Sequence, residues 1–460
     1  MVSDLDIYLK GKPYELTEEQ YAYCEDAIYG DKHVSNFSGG GCGKSLCLEI
    51  IKDVLGDRCV VCATTGIANS ILFNNKGGNG TAASVFSLPL GLYNSYHEKK
   101  VGKNTSNLFA SSDLVSTVIV EEAGMLNPDQ LDLICKRINR YNRPYGKKRN
   151  ARNIKLILQG DMLQLGSVIT KREEVDYMRN KYGSELLFDS NVFNDLDFSV
   201  HIFTENKRAN DKIFQAALDV LRYGQEHRYA GVLKWLNKRH VKAPEGCLKV
   251  ATTNKRVDEL NKEALLSNPN QAVHLKATIK GNYDIKNCPA DEEIILKVGL
   301  PVISLMNDGE DGNFFNGSFG YVKQILVGEG VIVEFLHSGE EHLVPYFTYE
   351  TTEYFTDTDE EGKPFMNTKV VGECTQVSVK MAAAFSCHRM QGKTVDVPME
   401  LDLGQGFSYS QNNPWGMALA SVAIGRLTKI ENLYLRTRLT KSHLKTNDRA
   451  VNWVLDQMGY

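Results

Sequence analysis

The hydrophobic positions in the first third of the chain follow one rhythm. A stretch with helical spacing gives way to a short β-branched run, then to a turn of small residues. Runs ending at Phe37, Cys62, Val120 and Gln159 lack polar alternation, as strands covered on both faces do. Amphipathic segments such as LCLEIIKDVLG, after Ser45, fall between them. This alternation predicts a parallel sheet flanked by helices, an α/β architecture. It resumes at LKVATTN near Leu248 and at ENLYLRT near Leu433. The stretch 275–375 is different: GYVKQILVG and VIVEFLHSG alternate over short distances between Gly-rich turns. That pattern predicts a small antiparallel insertion, β-rich and barrel-like in the way of SH3 domains.

Composition narrows the function classes. The chain has 460 residues, enough for several domains, with 42% hydrophobic and 24% charged residues, ordinary globular usage. Lys+Arg 53 against Asp+Glu 57 gives a net charge of −4, which excludes a uniformly basic coat for nucleic acid but not a local basic groove. No apolar run reaches the roughly 18 residues of a membrane helix, and MVSDLDIYLK does not read as a secretory signal, so a cytoplasmic protein without a membrane partner is expected. Ten cysteines spread along the chain form no disulfide framework; Cys59 and Cys62 sit in a strand-like RCVVCATTG and read as structural thiols.

The clearest chemistry is in FSGGGCGKSLCLEII. Phosphate binding needs consecutive backbone N–H groups turned toward one anion, with a helix N-terminus behind them. The stretch Gly39, Gly40, Gly41, Cys42, Gly43, Lys44, Ser45 and Leu46 supplies that pattern, although Ser38 stands where the usual motif has its first glycine. Lys44 would reach the outer phosphates and Ser45 would hold Mg²⁺. STVIVEEAGM adds carboxylates at the end of a buried run: Glu121 for the metal, and Glu122 to polarise the attacking water. The expected cofactors are therefore ATP and Mg²⁺.

Further segments carry a resemblance. KLILQGDMLQLGSV is similar to the third motif of superfamily 1 helicases; ATTGIA, TENKR, ATTNKRVDELN, LKVGLPV, NGSFGYV, CHRMQGKTVD and SVAIGR follow in family order. Together they resemble the Pif1-like superfamily 1B DNA helicases, with RecD- and phage Dda-type relatives, from about Leu16 to Leu435. The resemblance implies two RecA-like domains with ATP between them: 1–200, carrying a small insertion at about 78–112, and 201–274 with 376–460, interrupted by the β-rich 275–375. It implies a 5′-to-3′ motor on single-stranded DNA acting at duplex junctions in replication, recombination or repair, as a monomer, with a replication or single-strand-binding protein as a further partner. By the same resemblance Gln20 in ELTEEQ would read the adenine edge. Asp161 and Gln164 would sense the γ-phosphate, and Arg208 and Arg426 would deliver positive charge to it. Family members usually carry Asp where this chain has Glu121, a serine where it has Gly425, and two prolines where it has Gly166-Ser167.

DNA contacts are expected, again by resemblance, at Thr64 and Thr65, at Thr253 and Asn254, and at His388, Gln391 and Thr394. GTAASVFSLPLGLYNSY resembles a segment that retains Ser84 and Phe86; Phe86, Leu90 and Tyr93 are candidates for parting duplex strands, with ordinary packing the competing reading. Nine Lys or Arg and no acid lie between Lys136 and Lys155, either a solvated loop or a patch that attracts DNA. Two other activities fit the same motifs: a translocase that strips proteins from DNA, and a nucleotide-gated DNA-binding protein with weak hydrolysis.

Overall fold

The computed structural model describes residues 3–460 apart from 65–80, 90, 94, 111–114, 145–152, 165, 168, 170–171, 209–210, 246, 284, 286–287, 307, 309–312, 315–317, 337, 359–363, 391–393 and 405–417. Residues 253–385 form one compact unit, and the chain before and after them forms another.

In the larger unit five parallel strands make the first sheet: β1 (Val34–Asn36), β2 (Cys59–Ala63), β3 (Thr117–Glu121), β4 (Lys155–Gln159) and β5 (Ser199–His201). Their order is β2-β3-β4-β1-β5. The four apolar runs read from the sequence are β1 to β4; β5 is half-buried, and its short SVH carries too little hydrophobic signal to find. β1 lies between β4 and β5, so the loop that leaves it opens beside the ends of both neighbours. Ligands in open α/β sheets bind at such a place, past the C-terminal strand ends. One face is sealed by Phe37, Val118, Val120, Leu156 and Leu158 with the helix Pro128–Asn142.

A second parallel sheet contains β6 (Leu248–Ala251), Met399–Asp402 and Leu433–Leu435, the middle segment pairing with both others. Two parallel sheets are the RecA-like pair that the resemblance implies. One boundary differs from expectation. The span 376–460 should belong wholly with the second sheet, yet its last helix, Asp448–Gln457, returns to the first. Ala450, Val451 and Val454 are buried in the first sheet's core, and Trp453 stacks on Phe188 at 4.9 Å and meets Phe37 edge-on at 5.8 Å.

The unit 253–385 holds a seven-stranded antiparallel sheet. Its order is Val379–Met381, Pro301–Ser304, Phe319–Leu326, Gly330–Phe335, Glu341–Thr358, Pro364–Val377, Thr278–Gly281. The insertion is thus β-rich and antiparallel as expected, around Val302, Val322, Val331 and Phe335. Its strands run slightly beyond 275–375, since Val273–Lys276 and Val379–Met381 are part of it.

Candidate nucleotide site

The phosphate loop leaves β1 and enters the helix Lys44–Leu55 through Gly43 in a left-handed conformation (φ 88°). Gly41 is also left-handed (φ 85°), and a Cβ there would lie 2.6 Å from Cβ of Arg208, so only glycine fits. Ser38, the departure from the usual motif, is fully buried. Its hydroxyl donates to Asn36 Oδ1 and accepts from the N–H of Phe203, tying the loop to the chain after β5. Lys44 Nζ donates to the carbonyls of Ser38 and Gly39, both at 2.8 Å. A phosphate anion would offer it stronger, charge-assisted partners. Ser45 is exposed at the start of the helix, and Leu46 is half-buried behind it.

Gln20 is buried and its amide is engaged at both ends. Nε2 donates to the Cys42 carbonyl at 2.9 Å, and Oε1 accepts from Thr17 N at 3.0 Å as half of a capping box. It therefore braces the loop in this structure, and reading an adenine edge would require it to exchange one of these bonds.

The carboxylates stand where β3 ends. Glu121 is buried, and its Oε2 has no hydrogen-bond partner among the described residues. Burial, and then the neighbouring Glu122, push its carboxyl up to about 7. An orphaned carboxylate oxygen beside the phosphate loop fits a divalent cation, whose charge would offset both causes. Glu121 and Ser45 are the residues that would hold Mg²⁺. Glu122 adopts a left-handed conformation (φ 54°) at the turn after β3. Thr64 fixes that turn: its N–H donates to the Glu121 carbonyl at 3.1 Å and its hydroxyl to the Glu122 carbonyl at 3.0 Å. The turn also packs tightly on the end of β4, where a Cβ on Gly160 would meet the Ala123 nitrogen at 2.9 Å.

Asp161 and Gln164 follow Gly160. Asp161 is buried, and its carboxylate accepts from both terminal nitrogens of Arg222, at 2.6 and 2.8 Å, and from Gln164 Nε2 at 2.8 Å. Burial works against its charge, but the Arg222 guanidinium holds the carboxyl below the usual range. Gln164 Oε1 accepts from Arg426, which leaves the helix Leu419–Ile424 by way of Gly425. Arg426 is buried with its Nε unpartnered among the described residues; burial and then Arg208 pull its guanidinium down to about 10, so it stays charged at neutral pH. Arg208 Nη1 donates to the Gly425 carbonyl at 3.0 Å and stands 3.3 Å from where a Gly40 Cβ would be. TENKR is drawn along the loop as a strap, with Lys207 N–H donating to the Gly41 carbonyl (2.8 Å) and Asn206 Nδ2 to that of Gly40 (3.2 Å). The structure thus brings together Lys44, Gln164, Arg208 and Arg426 around one loop.

The expected DNA-contacting residues divide. Thr64 is placed against the Glu122 turn; Thr65, Gln391 and Leu90 lie outside the described residues, as does the side chain of His388. Ser84 and Thr394 are exposed. In the unit 253–385, Thr253 caps the helix Asn254–Ser267 by accepting from Arg256 N, and Asn254 is exposed. Phe86 corrects the expectation: it is fully buried and stacks on Phe109 at 5.8 Å, so it cannot stack on a base. Tyr93 is held between Lys136 and Lys181, whose ammonium groups lie 4.8 and 4.9 Å from its ring centre. The basic stretch is also largely structural where it is described. Arg137 is buried and donates to the carbonyls of Phe86, His97, Glu98 and Lys100. Lys136 bonds Tyr93 and Glu98, Arg140 bonds the Lys99 carbonyl, and the buried Lys155 bonds the carbonyls of Asp26 and Gly30.

A family model described as PIF1-like helicase matches residues 15–218. The ATP-dependent DNA helicase Pif1 of Campylobacter jejuni is 25% identical over 382 residues, covering 78% of this chain and 80% of that one. The Pif1 of Bdellovibrio bacteriovorus is 24% identical, covering 92% and 88%. A Bacteroides Pif1 structure bound to single-stranded DNA superposes with a TM-score of 0.78 over 97% of this chain and 98% of that one, at 23% identity. The chain is similar to Pif1 helicases over most of its length. A second Pif1 structure, described as unwinding forked duplex DNA by two coordinating helicases, superposes with a TM-score of 0.75 at 22% identity, covering 97% of this chain and 98% of that one.

Two residues of this site are not legible in the sequence. Asn206 lies inside TENKR, two residues before Arg208. Arg222 ends the helix Lys212–Arg222, whose buried face is Phe214, Ala217, Val220 and Leu221. An arginine that continues an apolar face is the available signal, and it is shared with many arginines that merely cover a core with their stems.

Proposed function

We propose that the protein is an ATP-dependent DNA helicase that moves 5′ to 3′ along single-stranded DNA and separates duplex at junctions, using ATP and Mg²⁺. The observation that carries this reading is the convergence of Arg208 and Arg426, from segments beyond the first sheet, on the loop that holds Lys44. Phosphoryl transfer asks little covalent chemistry of a protein; it asks for positioning and for positive charge where charge develops. Lys44, Arg208 and Arg426 supply the charge, Gln164 holds Arg426, and Glu122 is set to orient water. Mg²⁺, when bound at Ser45 and Glu121, would neutralise phosphate charge. The same cations link the first-sheet loop to the segments after β5, so their grip on a γ-phosphate couples hydrolysis to relative movement. DNA as the track, and junctions as the substrate, are supported by the Pif1 relatives and by the motif order.

The test is strand displacement on duplexes with one single-stranded tail, alongside ATP turnover with and without single-stranded DNA. Displacement should require a 5′ tail, and DNA should stimulate turnover. Lys44→Ala should remove both activities while leaving the circular dichroism spectrum unchanged. Displacement only from a 3′ tail would reject the polarity, and DNA-independent turnover would reject the motor.

A further inference from the structure

Arg222 has a place in the site that none of the motif roles above accounts for. Its guanidinium carbon lies 3.3 Å from where a Cβ on Gly39 would be, directly against the phosphate loop. It forks onto Asp161 with one nitrogen on each carboxylate oxygen. Leu163 N–H adds a second donor to Oδ1 at 3.0 Å, and Gln164 Nε2 adds a second to Oδ2. Each oxygen therefore accepts twice, which leaves the carboxylate one orientation. The side chain of Asp161 is 1% exposed, so its four donors have no water to replace them.

That saturation has a consequence one residue further along. Gln164 gives its Nε2 to a carboxylate and its Oε1 to the Arg426 guanidinium. Flipping the amide would set oxygen against carboxylate and N–H against guanidinium, both repulsive. The amide orientation is thus dictated by the charges at its two ends. The chain Arg222–Asp161–Gln164–Arg426 runs without a gap from the end of one helix, through the loop after β4, to the arginine beyond another.

We propose that Arg222 is a positioning residue for ATP hydrolysis, which fixes Asp161 and through it the Gln164 amide that aims Arg426. This rests on the ATP-hydrolysis reading above. A buried ion pair is a weak source of stability in itself, because desolvation offsets most of the attraction. Its value here is directional: a planar fork sets a carboxylate in a way that a lysine's single point charge does not. Among the described residues, other charged groups near Arg222 include Asp219 one turn earlier, whose carboxyl burial pushes up, Lys44 on the Gly39 carbonyl, and Arg208 and Arg426 across the pocket.

The experiment compares Arg222→Gln, Arg222→Lys, Asp161→Asn and the Asp161→Asn/Arg222→Gln double variant. Measured quantities are kcat and KM for ATP with saturating single-stranded DNA, and affinities for ADP and for ADP with aluminium fluoride. Arg222→Gln should lower kcat about 100-fold, the scale of a misplaced catalytic group, with KM nearly unchanged. Arg222→Lys should fall between it and the parent. Aluminium fluoride should tighten ADP binding in the parent and fail to do so in Arg222→Gln. In the Asp161→Asn background the second substitution should cost nothing more, since the fork has lost its target. Losses that multiply in the double variant would overturn the proposal, as would an equal fall in affinity for both ligands in Arg222→Gln. If that variant does not fold, Arg222→Lys decides by the same comparison of ligands. If the parent turns over no ATP, the reading of function fails separately, while the aluminium fluoride comparison still judges Arg222.

Discussion

At the scale of single residues, the site is organised by buried charges that satisfy one another. Asp161 is the clearest case, because its folded pKa is depressed while Arg222 lies beside it. A carboxyl depressed on folding stabilises the protein above its unfolded pKa of about 3.9, and that contribution is lost as pH falls through the folded value. Asp161→Asn should therefore be less stable than the parent at pH 7, and the difference should shrink below about pH 4. Urea unfolding at a series of pH values checks this; a gap that stays constant down to pH 3 would show that the pair's charge contributes nothing. Ser38 makes a related point. Its hydroxyl replaces a glycine's freedom with two hydrogen bonds that anchor the loop.

At the scale of elements, the informative contacts are those that hold short, irregular pieces. The helices Ala82–Phe86, Ser95–Lys99 and Lys103–Ala110 are too short to be stable alone. Arg137, on the helix Pro128–Asn142, gathers carbonyls from this region. Arg137→Met would leave those carbonyls without their donor. It should cost about 3 kcal/mol, the usual result of breaking a buried charged hydrogen-bond set. The loss should be concentrated locally, so hydrogen exchange at 82–110 should rise well before the amides of β3 and β4 change. Uniform acceleration across the first sheet would contradict this. Pattern reading found β2 to β4 by their apolar runs, and β1, whose Val34–Asn36 includes the polar Ser35 and Asn36, by its place before the Gly-rich loop. It missed β5 and Met399–Asp402, which are short and carry no such run. It also assigned Phe86 to DNA, because a motif fixes sequence position while burial depends on what packs above.

At the scale of the whole chain, the end of the sequence returns to its beginning. Trp453 meets Phe37, the residue immediately before Ser38, and Arg449 pairs with Asp189 at 2.5 Å. The phosphate loop is therefore braced from behind by the last helix. Trp453→Ala should cost about 3 kcal/mol, as large aromatic truncations in a core do. It should also weaken ADP binding, because the strand end that launches the loop loses its backing. Chemical denaturation and ADP titration measure the two effects; a stability loss with unaltered ADP affinity would confine Trp453 to packing.

The sequence by itself determined the parallel-sheet rhythm, the phosphate loop, the paired glutamates and the motif order, because these are local patterns whose chemistry depends on near neighbours along the chain. Long-range closure was decided only by the tertiary structure. Arg222 reaches Asp161 across sixty-one residues, the helix Asp448–Gln457 leaves its expected domain to cover Phe37, and Arg137 and Lys155 of the basic stretch turn inward to carbonyl groups. No local pattern encodes these outcomes. Each follows from which donors and apolar surfaces remain unsatisfied once the sheets have formed, and that is a property of the folded neighbourhood.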